Sequence, residues 1–133
     1  MSTQDDYQER RKRQRFAARR DGKPCINIRI GEETITLNDL SIDGFSIPHN
    51  DAIPLNQPFD FEMRLIDGFG DRIRARAVAV NEVSGILGCQ FIELDANQQR
   101  TLEEWLTVIV ICGASVRLTP ADAEAIVKGP SLI

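Results

Sequence analysis

Residues 58–65, which read Pro-Phe-Asp-Phe-Glu-Met-Arg-Leu, carry the pattern that decides the fold. Apolar side chains at positions 59, 61, 63 and 65 alternate with charged side chains at positions 60, 62 and 64. Neighbouring side chains on a β-strand point to opposite faces of the sheet. The alternation therefore predicts a strand with one face in a core and the other in solvent.

The same two-residue period recurs on both sides of this strand. Residues 26–30 and 34–37 alternate around a Gly-Glu-Glu turn and predict a hairpin, and residues 45–47, 72–83 and 86–94 supply further strands. The connections are too short for helical crossovers, so the strands are expected to pair antiparallel. We therefore predict a mainly β fold, a six-stranded antiparallel β-barrel over residues 24–94.

Helical periodicity begins only after the last strand. Apolar residues recur on one face of residues 96–112, which predicts a C-terminal amphipathic helix that Asp95 or Asn97 could cap. Thr-Pro-Ala-Asp at 119–122 predicts a short terminal helix within an extension over residues 113–133. The end of the first helix, residues 108–112, is apolar all round. It must be covered by the barrel rim or by a second copy, so residues 105–133 are a candidate homodimer surface.

Composition narrows the class of protein. The chain has 133 residues, of which 42% are apolar and 27% charged, as in one soluble globular domain. No apolar run approaches the roughly 20 residues that cross a bilayer, and no secretory signal is evident. Three separated cysteines without a C-x-x-C pair favour reduced core thiols in the cytoplasm. With one histidine, neither a metal site nor a cofactor is expected, and no familiar nucleophile–base motif predicts an enzyme.

Charge is distributed unevenly along the chain. Residues 1–20 carry seven basic side chains against three acidic ones, whereas the remaining residues carry nine against seventeen. A basic arm on an acidic body predicts that the arm captures an anionic ligand.

Two short motifs contain the candidate binding residues. The arm contains Arg11-x-x-x-Arg15, and Asp39-x-Ser41-x-x-Gly44 follows one hairpin later. Each motif alone has a plain explanation. The first could be a solvated arm or a non-specific phosphate binder, and the second a tight turn with a positive-φ glycine.

Taken together, the two motifs resemble the PilZ domain, a bacterial receptor domain for the second messenger cyclic di-GMP. The closing strand Gly-Cys-Gln-Phe at 88–91, followed by Leu94, Asp95 and an amphipathic helix, extends the resemblance over about residues 9–111. Residues 1–9 are polar with nothing to bury, so we expect a disordered N-terminus there. The resemblance implies a PilZ domain over residues 10–112. Residues 10–20 of that domain would form the ligand-clamping arm, and residues 113–133 fall outside it.

The resemblance also implies which residues bind the ligand: Arg10, Arg11, Arg15, Asp39, Ser41 and Gly44. A guanidinium fork fits the acceptor edge of guanine, and a carboxylate fits its donor edge. Arg15-x-x-x-Arg19 is a second possible register for the arm motif. An arginine before the motif, here Arg10, accompanies binding of a stacked ligand dimer in this family.

The energetics of the arm suggest a switch. Ordering about ten residues costs on the order of 10 kcal/mol, which a ligand but nothing in the arm's composition offsets. We therefore expect an arm that is mobile when empty and that wraps cyclic di-GMP to signal to a downstream protein the sequence does not name. Two alternatives remain: a PilZ-like adaptor that works without ligand, and, less favoured because the body is acidic, a module that binds single-stranded nucleic acid.

Overall fold

A computed structural model describes residues 14–20, 22–66, 70–113 and 118–129. Within them the chain forms ten strands and two helices. The strands are β1 (Phe16–Ala17), β2 (Arg19–Arg20), β3 (Lys23–Pro24), β4 (Ile26–Ile30), β5 (Glu33–Thr36), β6 (Asp39–Leu40), β7 (Gly44–Pro48), β8 (Pro58–Leu65), β9 (Ile73–Val83) and β10 (Ile86–Glu93), and the helices are α1 (Ala96–Gly113) and α2 (Pro120–Lys128).

Eight strands form one antiparallel sheet in the order β1-β6-β7-β10-β9-β8-β4-β5, and β2 pairs with β3 in a separate ladder. The mainly β class and the two C-terminal helices are as predicted. The strands do not close into the predicted six-stranded barrel, because the sheet is open, with β1 and β5 as its edges. The chain changes partners at a corner between β5 and β6. There Leu37 donates its amide hydrogen to Ile26 of β4, whereas Asn38 donates to Ser46 of β7.

The core lies on one side of this sheet. Phe61 and Met63 of β8 are buried, as the alternation of residues 58–65 predicted. The ring centroid of Phe45 in β7 lies 5.3 Å from that of Phe61 and 5.6 Å from that of Phe91 in β10. These edge and tilted ring contacts join three strands around the residue that follows Gly44.

The first helix begins as the sequence predicted. The carboxylate of Asp95 accepts a hydrogen bond from the amide of Gln98, 2.8 Å away, and caps the helix. The predicted apolar face is buried, and it comprises Leu102, Trp105, Leu106, Ile109 and Val110. Within the described residues, no helix is long and apolar enough to cross a membrane.

The second helix covers the end of the first. Thr119 and Asp122 form the predicted capping box, and Ala123 and Val127 are buried against α1. Lys128 Nζ lies 2.9 Å from a carboxylate oxygen of Glu103 and so ties the two helices together.

The apolar turn at residues 108–112 is therefore covered largely within the chain itself. Ile109 and Val110 are buried, although Val108 and Cys112 are exposed. The expectation that all three cysteines are core residues is wrong for Cys112, because it lies at the open end of α1.

Candidate functional site

The N-terminal arm joins the sheet beside the second motif. In the ladder between β1 and β6, Phe16 lies opposite Leu40 and Ala17 lies opposite Asp39. The amide of Ala18 donates to the carbonyl of Asn38 over 3.2 Å, and Ala18 is fully buried. The expectation of a free arm is therefore wrong for residues 16–18. Two apolar side chains two residues apart, Phe16 and Ala18, pack against the core and hold this part of the arm.

Ser41 builds the turn that connects β6 to β7. Its hydroxyl oxygen accepts hydrogen bonds from the amides of Asp43 and Gly44, at 3.2 and 3.1 Å. Its own amide donates to the carbonyl of Gly44 over 2.8 Å. The side chain is buried and largely satisfied by this turn, so its clearest effect is on the path of the backbone between Asp39 and Gly44.

Gly44 is required by its neighbour in the sheet. Its φ is not positive, so the explanation of the motif as a positive-φ turn is wrong for this residue. A Cβ atom at Gly44 would lie well inside van der Waals distance of the carbonyl oxygen of Cys89 in β10. The glycine therefore permits a close approach between β7 and β10 at the start of the site.

Asp39 is the member of the motif with an unused polar atom. Its Oδ1 is buried, and no described residue forms a hydrogen bond with it. A buried carboxylate oxygen without a donor costs roughly 1–3 kcal/mol or more. The atom is thus positioned to accept a hydrogen bond that the described residues do not supply.

Arg15 is the arginine of the arm that the structure places at this site. It directly precedes Phe16, as Ser41 directly follows Leu40, so the two lie at the same end of the β1–β6 ladder. Burial raises the pKa of the Cys89 thiol to about 12, and the charge of Arg15 partly opposes that rise. The guanidinium is therefore within electrostatic range of β10. Arg10 and Arg11 lie outside the described residues.

Arg19 bears on the choice of register. Its Nη1 donates to the carbonyl of Gly22 over 3.2 Å within the turn between β2 and β3. This bond directs the Arg19 guanidinium toward the β2–β3 turn. Arg15 belongs to both candidate registers, Arg11/Arg15 and Arg15/Arg19.

Sequence reasoning missed a row of residues around Asp39. The registers of five strands align Ala17, Asp39, Ser46, Gly88 and Asn81 in one row across the sheet. No periodic signal could have shown this row, because β1 and β6 are only two residues long.

Asparagine side chains border this row. Asn38 donates from Nδ2 to the hydroxyl of Ser46 over 3.1 Å, and the side chain of Asn81 lies over Gly88. Amide groups, which both donate and accept, thus lie at two points along this row, beside Ser46 and beside Gly88.

A groove of about 560 Å³ adjoins the arm on the side of the helices. Arg15, Phe16 and Arg19 line one wall, and Ile109, Val110 and Ile126 line the other. Since Arg15 belongs both to the arm motif and to this groove, a change in the arm would reach the surface formed by the two helices.

Known proteins support a family assignment for this arrangement. The model of the family described as "PilZ domain" matches residues 9–107, about three quarters of the chain. No curated protein is significantly similar to the sequence.

Solved structures resemble the fold at low sequence identity. An uncharacterized Legionella protein, Lpg0364, has 11% identity and a TM-score of 0.50, over 67% of this chain and 85% of its own. The Bacillus subtilis inhibitor of motility, MotI/DgrA, has 17% identity and a TM-score of 0.47, over 59% of this chain and 42% of its own. The PilZ domain of CeSA from a cellulose-synthesizing bacterium has 15% identity and a TM-score of 0.45, over 67% and 90%.

Proposed function

This chain belongs to the PilZ domain family, and on that premise we propose that it is a bacterial, cytoplasmic receptor for cyclic di-GMP. PilZ domains are binding and adaptor modules, so the protein would act by holding the dinucleotide and presenting a changed surface to a partner protein. The dinucleotide is a ligand in this proposal and not a cofactor.

The observation that carries the proposal is the unpaired Oδ1 of Asp39 beside the arm strand. The edge of guanine that carries N1 and N2 presents only donors, so a carboxylate oxygen is its chemical complement. In water-poor surroundings such a charge-assisted hydrogen bond contributes roughly 1.5–3 kcal/mol. The ligand would thus satisfy the atom that the described residues leave without a partner.

The remaining site residues have distinct roles in this proposal. Arg11 and Arg15 would bind phosphate or the O6/N7 edge of guanine from the arm, and Arg10 would accompany a second, stacked ligand. Ser41 and Gly44 would act mainly by shaping the turn and the approach of β7 to β10, which sets the position of Asp39.

Signalling would involve less of the arm than the sequence suggests. Phe16 and Ala17 already belong to the sheet, and the buried Ala18 is bonded to Asn38, so we expect rearrangement on binding to involve the residues before Phe16. The groove shared by Arg15 and the helices offers a route by which that rearrangement changes a surface that a partner can recognise.

Calorimetric titration of cyclic di-GMP into the purified protein tests the proposal. We expect micromolar or tighter binding, no binding of GTP, and loss of binding in Arg15→Ala. A ratio near two ligands per chain would support the role of Arg10. Arg11→Ala and Arg19→Ala, compared side by side, distinguish the two registers of the arm motif.

The proposal fails if saturating cyclic di-GMP produces neither heat nor a thermal shift. That result would favour an adaptor that works without ligand. Single-stranded DNA would then be the next titrant, and its binding should fall steeply with salt.

A further inference from the structure

Arginine side chains cluster on the face of β4, β8 and β9 that lies opposite the buried residues of these strands. Five of the nine basic residues that follow position 20 lie on or next to three neighbouring strands, β4, β8 and β9, and they are Arg29, Arg64, Arg72, Arg74 and Arg76. All five are exposed and none is a lysine. This arginine face stands out because the chain beyond the arm is otherwise strongly acidic.

Two carboxylates compensate only part of this charge. Glu62 Oε2 lies 2.5 Å from Arg74 Nε, and its Oε1 lies 3.7 Å from Arg72 Nη1. Asp60 Oδ1 lies 3.5 Å from Arg76 Nε. The hydrogen bond from Arg74 lowers the pKa of Glu62, so this carboxylate stays ionised between its arginines. A third carboxylate, Glu32, lines the cleft that contains Arg29 and Arg64, so five positive charges face three negative ones.

Arg64 is the arginine of this face whose side chain has no partner among the described residues. The registers place Arg64 opposite Asn27 of β4, a neutral residue. Within the described residues, the side chain of Arg64 forms no hydrogen bond or ion pair. Arg29 donates only to the carbonyl of Gly31, over 3.2 Å. The guanidinium groups of Arg29 and Arg64 can therefore donate hydrogen bonds to a carboxylate from outside the chain.

Two clefts in this face could hold such carboxylates. A cleft of about 190 Å³ between β5, β4 and β8 is lined by two arginines and two glutamates, Arg29, Arg64, Glu32 and Glu62. A second cleft, of about 420 Å³, lies on the other side of Glu62 and is lined by Arg29, Arg74 and Arg76. Arginines border both clefts, and the planar guanidinium group binds carboxylates in a bidentate way that lysine cannot match.

The alternation of charge on this face favours a protein over a nucleic acid. A phosphodiester backbone is a continuous polyanion and would pass directly over Glu62 and Asp60. None of the aromatic side chains in the described part of the chain is exposed, so bases would find no surface on which to stack. Acidic side chains on one face of an extended peptide recur about every 6.8 Å, which matches the spacing of successive outward residues on β9.

We propose that the arginine face of β4, β8 and β9 docks an acidic segment of a partner protein. The segment passes over β8 and places its carboxylates in the two clefts that border Glu62. In the sheet, β7 and β10 separate β9 from the motif strand β6, so this surface is distinct from the nucleotide site. The docking does not require cyclic di-GMP, so the failure of one proposal would leave the other untouched.

Fluorescence anisotropy with a labelled peptide of alternating Glu and Ser tests the proposal. About ten residues suffice to cross the face at ~3.3 Å per residue. At about 50 mM salt, where surface charges are little screened, we expect saturable binding to the full chain without nucleotide. Arg64→Glu should weaken binding about tenfold or more. This residue has no partner in the fold, so the variant should unfold at the same temperature as the parent protein.

Arg20→Glu is the matched control, because it makes the same charge change at an exposed position on β2 in the basic arm. We expect it to change affinity less than threefold, since β2 belongs to a separate two-stranded sheet and lines neither cleft. Equal weakening by Arg20→Glu and Arg64→Glu would overturn the proposal and indicate general attraction to basic residues. Absence of peptide binding, or tighter binding of a ten-nucleotide oligothymidine, would overturn it as well.

Discussion

Ala17 and Asp39 lie directly opposite each other in the ladder that joins the N-terminal arm to the motif strand. This pairing makes the arm an edge strand of the sheet and brings Arg15 to the end at which Ser41 begins its turn. The two motifs, separated by more than twenty residues in sequence, thus form one surface through backbone hydrogen bonds.

Asp39→Ala should separate binding from stability. The substitution removes a buried carboxylate oxygen that has no donor, so the free energy of unfolding should stay the same or rise by about 1 kcal/mol. Affinity for cyclic di-GMP should fall more than tenfold, because the acceptor for the guanine is lost. Urea unfolding and calorimetry measure the two effects. A loss of stability beyond about 1 kcal/mol would show that the carboxylate supports the fold instead.

Gly44→Ala should destabilise the protein by about 1–3 kcal/mol, because the new methyl group meets the carbonyl of Cys89. Gly113→Ala is the matched control: its Cβ would meet nothing, and alanine favours the helix by about 0.5–1 kcal/mol. Thermal unfolding of both variants provides the comparison. Equal melting temperatures would mean that β7 can move away from β10 at no cost.

His49 should titrate above its ordinary range. Nδ1 faces the carboxylate of Glu82, and Nε2 lies 2.6 Å from Asp51 Oδ1, so only the imidazolium can donate to both. The hydrogen bond with Glu82, followed by that with Asp51, raises the pKa of His49. A raised folded-state pKa means that its stabilising contribution is complete below about pH 6.5 and is lost as the pH rises through the folded-state pKa.

An NMR titration can measure this pKa without assignment, because His49 is the only histidine in the chain. Glu82→Gln should lower the pKa, since it removes the larger of the two causes. A pKa at or below about 6.5 in the parent protein would contradict the bridged arrangement.

Cys112 and Cys89 should differ sharply in their reaction with a thiol reagent. Cys112 is exposed at the end of α1, whereas Cys89 is buried and its thiol pKa is raised to about 12. Only the thiolate reacts with the reagent. At pH 8 the reagent should therefore modify Cys112 rapidly in the native protein and Cys89 only after unfolding. Cys112→Ser should remove the fast phase, and Cys89→Ser should leave it intact. A fast phase that survives Cys112→Ser would contradict this assignment.

Strands long enough to show a period and the helix caps could be predicted from the sequence, because their signal lies in neighbouring residues. The alternation in residues 58–65 extends over eight consecutive positions. The caps at Asp95 and Thr119 each bond an amide three residues further along the chain. The short strands β1 and β6 carry no such signal, because two residues are too few for a period to show. Their existence depends on pairing with each other and with β7.

For the motif residues, the sequence supplied the residue types, and the tertiary structure supplied their roles. The residue types at Arg15, Asp39, Ser41 and Gly44 could be read directly, and they indicated the family. Tertiary contacts decided that Gly44 serves the approach of Cys89 and that Ser41 is occupied by its own turn. The same contacts left Asp39 Oδ1 without a donor among the described residues.

The sequence by itself determined the mainly β class, the two C-terminal helices and membership of the PilZ family, because alternation, capping and motif spacing are local properties of the chain. Only the tertiary structure decided that the sheet is open, that the arm is its edge strand, and that five arginines gather on one face. Those features depend on which strands pair and in what register. Pairing is set by the burial of side chains that are distant in sequence, such as Phe16, Phe45 and Phe61.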